Sequence, residues 1–286
     1  MVDHYAVFGH PIGHTKSPEI HRLFAEQTGE PICYTAQDVP PDCFSVALSC
    51  FRAGGGKGLN CTVPLKELAF RHADEVSERA KLAGAVNTLL LEGDRIFGDN
   101  TDGIGLVRDL RDRLGLDLSR CETLIVGAGG AARGIIAPLF EAGVPTIAIV
   151  NRTASKAVHL AESFSHLGRI FGGGFDLVEG RRFDLLINAT SLSLEGKVPP
   201  LPEGILREGA VCYDLMYGDG PTPFVLWGKR QGARLNVDGL GMLVEQAAEA
   251  FFLWRGVRPE TGPVIEALRR ARSGGCMSFS NPPEKP

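Results

Sequence analysis

Apolar positions along this chain follow two alternating rhythms. Short β-branched or aromatic runs at Tyr5–Gly9, Ile32–Val39 and Lys57–Val63 read as strands. Between them, Ser17–Gly29 and Pro41–Ala53 carry apolar residues at helical spacing. The first of these helices is entered through Ser17-Pro18 and stopped by Gly29. Pro64 is expected to open a further helix, where its missing N–H costs nothing. The segment VNTLLLEGDRIFGDN, Val86–Asn100, predicts a hairpin turning at Gly93-Asp94. From Asp102 to Leu114 the period is helical again, with Ile104, Leu106, Val107 and Leu110 available to bury.

The pattern then restarts. Thr123–Val126, Thr146–Val150, Phe183–Ile187 and Ala210–Tyr213 read as four strands separated by helix-length segments. Such a βαβ series implies a parallel sheet with right-handed crossovers. The last long helix is expected at Leu240–Trp254, beyond Asp238-Gly239. The stretch from Ser273 onward is rich in turn formers and is expected to be disordered.

Composition narrows the classes without changing this picture. With 286 residues, 44% hydrophobic and 22% charged, the chain is an ordinary globular sequence long enough for two cores. Its net charge of -4 and interspersed signs give no basic stripe for nucleic acid. The cluster Arg269, Arg270 and Arg272 reads as a solvated helix face. Seven cysteines, none in a C-x-x-C pair, indicate neither a zinc site nor a disulfide framework. No run approaches a membrane span, and the amino terminus lacks the order of a signal peptide, so a reducing cytoplasm is expected.

The candidate chemistry begins at LIVGAGGAARG, Leu124–Gly134. Gly127, Gly129 and Ala132 occupy the three positions of G-x-G-x-x-G/A, between a predicted strand and a predicted helix. That context supplies a tight turn, close backbone approach to a pyrophosphate and a helix N-terminus facing the phosphates. At the end of the next strand an NAD site would offer a carboxylate to the ribose. The sequence instead reads Asn151-Arg152-Thr153, with Lys156 following. A guanidinium and an ammonium there suit a 2′-phosphate, so NADP is favoured; Thr153 can also help cap the following helix.

The first half holds further polar segments. If Pro64 lies in a first helical turn, Lys66 sits near that helix's positive end, an unfavourable placement by a few tenths to about 1 kcal/mol when exposed. It also pushes the lysine toward its neutral form, which suits acid–base work. A surface lysine beside Glu67 is the alternative. GDNTDG, Gly98–Gly103, gathers polar groups of which Thr101 or Asp102 could be a helix cap. Thr15 and Ser17 in GHTKSP either bind an anionic group or cap the following helix.

Taken together, YAVFGHPIGHTKSPEIH, NCTVPLKE, AGAVNTLL, GDNTDGIG, VGAGGAARG, NRT, INATS, YDLMYG and DGLGMLVEQAAEAF resemble, in order, the motifs of the shikimate dehydrogenase family. The match runs from about Tyr5 to Val264. The resemblance implies an α/β fold: an N-terminal α/β substrate domain, a Rossmann-type doubly wound NADP-binding domain, and a C-terminal helix returning to the first domain. The corresponding ranges are 1–102, completed by 239–272, then 103–238, with a tail at 273–286. It also implies reversible reduction of 3-dehydroshikimate to shikimate by NADPH, in a monomer or homodimer whose other partners are small molecules.

By position, the resemblance makes Lys66 and Asp102 the catalytic pair, with the formal acid left to the pair because coupled groups titrate together. Thr15 and Ser17 would hold the substrate carboxylate. Thr62, Asn87, Asp102 and Gln246 would bind the ring hydroxyls, with Asn60 and Tyr217 nearby. Gly127, Ala128, Gly129, Gly130 and Ala131 would cradle the pyrophosphate, and Asn151 to Lys156 the 2′-phosphate. Leu215 and Gly239 would flank the nicotinamide, with Glu78 on that side.

Four positions depart from the family pattern: Thr15 for Ser, Cys61 for Val, Ser193 for Gly and Leu215 for Met. Strand alternation is expected to turn Cys61 away from the substrate. Ser193 puts the path of its loop past the nicotinamide in question. The rival readings are a quinate-using paralogue, often with NAD, a non-catalytic NADP-binding regulator, and a folate-linked dehydrogenase. The basic loop after Val150 speaks against the first and the intact Lys66 and Asp102 against the second. The GDNTDG and HTKSP segments weaken the third.

Overall fold

The computed structural model describes residues 2–274 and divides them between two six-stranded sheets. The first sheet uses β1 (Asp3–Gly9), β2 (Ile32–Asp38), β3 (Gly56–Cys61), β4 (Glu75–Val76), β5 (Thr88–Glu92) and β6 (Arg95–Asp99). Their order is β2-β1-β3-β5-β6-β4. β1 pairs parallel with β2 and β3, whereas β5 runs antiparallel to both β3 and β6. The β5–β6 hairpin turns at Gly93, whose φ of 55° needs glycine. Helices α1 (Ser17–Thr28), α2 (Phe44–Ala53), α3 (Lys66–His72) and α4 (Glu78–Ala83) complete this half. α1 ends in the left-handed cap at Gly29.

α5 (Asp102–Arg108) leads into the second sheet. Its strands are β7 (Glu122–Val126), β8 (Thr146–Val150), β9 (Arg169–Gly173), β10 (Phe183–Asn188), β11 (Leu206–Asp214) and β12 (Leu235–Val237). All pair parallel in the order β12-β11-β10-β7-β8-β9, the doubly wound arrangement. The order in which strands are added reverses between β7 and β10, so the ends of these strands open a crevice for a nucleotide. β8 is buried at every residue, as expected of a parallel strand covered on both faces. α6 (Gly130–Glu141), α7 (Ala154–Phe164) and α8 (Pro223–Arg230) flank the sheet. α9 (Leu240–Arg255) then packs on α5 and reaches back to β3 and β5, and α10 (Thr261–Gly274) lies against α9 and α1.

Several expectations need correction. Pro64 does not open a helix; it sits in a turn after β3, and α3 begins two residues later at Lys66. The second sheet has six strands, not four. β9 ends in two glycines and β12 has three residues, so neither carries a strong strand pattern. The helix expected to Leu114 leaves α-helical geometry at Asp109 and continues as a wider π-helical stretch, Asp109–Arg113. Arg272 is not on a solvated face: its side chain is 14% exposed and pairs with Asp238. The tail expected from Ser273 lies outside the described residues, apart from the backbone of Ser273 and Gly274 that closes α10.

Candidate active site

Lys66 is the first residue of α3 and Asp102 the first of α5, so two helix starts aim their side chains at one point. The Lys66 ammonium donates to Asp102 Oδ2. With side-chain exposures of 27% and 14%, the pair is shielded yet reachable from a cavity. The other carboxylate oxygen, Oδ1, accepts from Asn87 Nδ2 at 2.8 Å. Asn87 is itself held on both ends: Nδ2 also donates to Thr101 Oγ1 at 3.0 Å and Gln246 Oε1 at 3.3 Å. Its Oδ1 accepts from the Thr101 backbone N–H at 2.8 Å and from Thr88 Oγ1 at 3.0 Å. The amide therefore acts as a bracket for the Asp102 carboxylate, with its polar atoms committed within the protein.

This network settles what GDNTDG does locally. Thr101 stands at the cap position of α5, but its buried side chain makes no cap bond; the hydroxyl joins Asn87 and Gln246 instead. Thr15 and Ser17 likewise do not cap α1 in the usual way. Residue 16 holds the cap position, and the two hydroxyls face each other at 3.2 Å on the cavity wall. Thr153 is at the cap position of α7 and makes no cap bond with its side chain either.

The cavity has a volume of about 220 Å³. Thr15, Ser17, Asn60, Thr62, Lys66, Asn87, Asp102, Tyr217 and Gln246 all line it, as do Ala131, Leu215 and Gly239 from the cofactor side. Burial pushes the Tyr217 hydroxyl up, so it stays a donor at neutral pH. Cys61 packs with Phe8 and Leu65 but also borders the cavity, so alternation separates it from the site only in part. Burial raises its thiol pKa well above the ordinary value, leaving it protonated and inert. Val7, Val63, Met216, Met242 and Leu243 also line the wall and were missed. A helical reading could have found two of them, since Met242 and Leu243 stand four and three residues before Gln246 on one face of α9.

The nucleotide half is open and fits a dinucleotide. Gly127 has φ +109°, and a Cβ there would lie 3.2 Å from the Ala189 backbone. At Gly129 and Gly130 a Cβ would meet nothing within 4 Å, and α6 starts without a side-chain cap. Arg152, Thr153 and Lys156 are exposed after β8, with Asn151 half-buried beside them. Gly239 is required sterically: an added Cβ would lie 2.2 Å from the Leu215 carbonyl oxygen. Glu78 does not line the cavity; its carboxylate is exposed and pairs with Lys81.

Ser193 is likewise given a defined place. Its hydroxyl donates to Asp214 Oδ2 at 2.5 Å, and Asp214 also accepts from Thr222 Oγ1 at 2.6 Å and Asn188 Nδ2 at 2.9 Å. Burial raises the Asp214 pKa, opposed by these donors. The serine thus anchors its loop to the end of β11, just before Leu215.

Comparison with known proteins agrees with this geometry. Residues 7–89 match the shikimate dehydrogenase substrate binding domain, 109–191 the shikimate / quinate 5-dehydrogenase family and 239–269 the shikimate 5'-dehydrogenase C-terminal domain. The chain is similar to the shikimate dehydrogenase (NADP(+)) of Methylococcus capsulatus, with 60% identity covering 94% of this chain and 97% of the relative. Among solved structures, an Ael1 enzyme from Pseudomonas putida is 48% identical at a TM-score of 0.87, covering 93% of this chain and 98% of that one. A shikimate 5-dehydrogenase from Thermus thermophilus, solved in complex with NADP(H) and shikimate, is 37% identical at a TM-score of 0.84, covering 94% and 99%. The chain belongs to the shikimate dehydrogenase family.

Proposed function

We propose that this protein catalyses the reversible, NADPH-dependent reduction of 3-dehydroshikimate to shikimate, a step of aromatic amino acid biosynthesis. The single observation carrying this reading is the Lys66–Asp102 pair at the wall of a small cavity that Ala131, in the first turn of the helix after the glycine turn, also lines. NADPH, when bound, supplies the hydride. Lys66 holds a proton at Nζ and gives it to the substrate oxygen as negative charge develops there. Asp102 orients that ammonium, and Asn87 fixes the carboxylate. In the reverse direction the same Nζ recovers the proton.

The hydroxyls of Thr15 and Ser17 are assigned to the substrate carboxylate, and Asn60, Thr62, Tyr217 and Gln246 to the ring. Gly127 to Ala131 would hold the pyrophosphate, Asn151 to Lys156 the 2′-phosphate, and Leu215 and Gly239 the nicotinamide. Glu78, exposed and paired with Lys81, is given no part in that surface. We assign residues 1–102 with 239–272 to the substrate domain and 103–238 to the nucleotide domain, supported by the separate sheets. No helix among the described residues is long and apolar enough to cross a membrane. A cytoplasmic monomer or homodimer fits a biosynthetic enzyme with small-molecule partners.

The test is a spectrophotometric rate assay of shikimate and quinate, each against NADP and NAD. Shikimate with NADP is expected to dominate by at least an order of magnitude in kcat/KM. Comparable rates with quinate, or a preference for NAD, would replace this reading with the broader paralogue.

A further inference from the structure

Asn60 is an amide at the cavity wall whose polarity the protein sets from behind. Its Nδ2 donates to the Asn87 backbone carbonyl at 3.1 Å and to Thr88 Oγ1 at 3.0 Å. Both amide hydrogens are thereby used. The carbonyl can only accept, and the Thr88 hydroxyl is donating to Asn87 Oδ1, so neither neighbour permits the amide to be turned over. The Tyr34 hydroxyl then donates to Asn60 Oδ1 at 2.6 Å. One oxygen lone pair remains for the cavity that Asn60 lines.

Tyr34 lies on β2, outside the cavity wall, and its ring is held independently. The His21 ring stacks on it at a centroid distance of 4.1 Å and an interplanar angle of 8°. His21 is fully buried, and its ring supports Tyr34 by stacking while the Asn60 amide is a polar neighbour of the same ring. Trp254 flanks both rings.

We propose that Tyr34 is a positioning residue that fixes Asn60 as a pure hydrogen-bond acceptor toward the substrate. The site then selects a ring hydroxyl that donates at that point, and rejects a ligand presenting an acceptor there. Without the Tyr34 hydroxyl, Asn60 Oδ1 loses its anchoring donor and the amide gains freedom to rotate away from the substrate. This inference rests on the shikimate reading above.

The experiment is a double-mutant cycle of Tyr34→Phe, Asn60→Ala and the combined variant, read by steady-state kinetics in shikimate and NADP. Tyr34→Phe is expected to raise the KM for shikimate roughly five- to tenfold, the scale of one net hydrogen bond. It should leave the KM for NADP unchanged and kcat within about threefold of the wild type. In the Asn60→Ala background the same substitution is expected to have no further effect on the KM for shikimate. An equal penalty with and without Asn60, or equal changes in both Michaelis constants, would overturn the proposal while leaving the functional reading in place. A wild type without shikimate turnover overturns the functional reading, and this inference with it.

Discussion

Lys66 sits where a helix start disfavours a cation, and the structure compensates with a carboxylate from a helix start 36 residues away. Function, not local stability, explains that placement. Replacing Lys66 by Ala, or Asp102 by Asn, is expected to lower kcat by roughly 10²- to 10⁴-fold. The melting temperature should stay within a few degrees, because both side chains keep some exposure to water. Near-normal turnover in both variants, measured beside thermal melts, would remove the pair from the mechanism. His21 gives a second residue-scale prediction. Burial lowers its pKa from 6.5 to about 3, so the folded protein keeps the ring neutral where the unfolded chain protonates it. The unfolded state therefore binds the extra proton between about pH 6.5 and 3, and stability falls as pH drops through that window. The slope approaches about 1.4 kcal/mol per pH unit. His21→Phe keeps an aromatic ring and removes the titration, so its melting temperature should depend less on pH between 6.5 and 4. Parallel curves for variant and wild type would refute this origin of acid sensitivity.

At the scale of elements, the strand β8 and the loop after it are the proposed reader of the nucleotide. β8 ends in Val150 and hands over to Asn151 and Arg152, with no carboxylate at that point. Arg152→Ala is expected to raise the KM for NADPH by ten- to a hundredfold and to change that for NADH much less; equal changes would show that this loop does not read the phosphate. Such elements were legible because their signals are local: β-branched runs, a glycine turn, a hairpin glycine. The misread elements fail for equally physical reasons. Pro64 looks like a first helical residue, but the chain needs it and Leu65 to turn out of β3 before α3 begins. Thr101 has the chemistry of a cap, yet its hydroxyl is taken by Asn87 and Gln246, partners 14 and 145 residues distant. Arg272 reads as a solvated charge until Asp238 supplies a partner from another element. The site's residue types were visible in the sequence; Tyr34 was not, because only packing brings it to Asn60, whereas Met242 and Leu243 share a face of α9 with Gln246 and were open to a helical reading.

In the whole molecule, α5 is the wedge on which both halves bear. Asp102 begins it, and its two glycines lie against different helices. At Gly103 an added Cβ would meet Pro138 Cγ at 2.4 Å and the Gly134 carbonyl oxygen at 2.5 Å, both on α6. Pro138 has no N–H for that carbonyl, so α5 approaches a gap in the ladder of α6. At Gly105 the added Cβ would meet the backbone nitrogen of Gln246 at 2.7 Å, on α9. Gln246 from α9 and Asp102 from α5, which line one cavity, are thus registered by the absence of two methyl groups. Glu249 of α9 adds a tie to α5 and α4, accepting from Arg108 at 2.7 Å and Arg79 at 3.2 Å, and from Arg258 of the segment before α10 at 2.5 Å. Gly105→Ala is therefore expected to force α5 and α9 apart, costing about 1–3 kcal/mol by overpacking. The cost should appear twice, as a lower melting temperature and as a raised KM for shikimate, because Gln246 and Asp102 move together with the helices that carry them. Gly134→Ala is the matched control. It adds the same methyl within α6, where the nearest atoms are those of the Asn100 amide at 3.7 Å, an ordinary contact. That variant should melt no lower than the wild type, since alanine also favours a helix interior over glycine. If Gly105→Ala matches Gly134→Ala in both melting temperature and KM, the close approach of α5 to α9 is not what holds the two halves of the site in register.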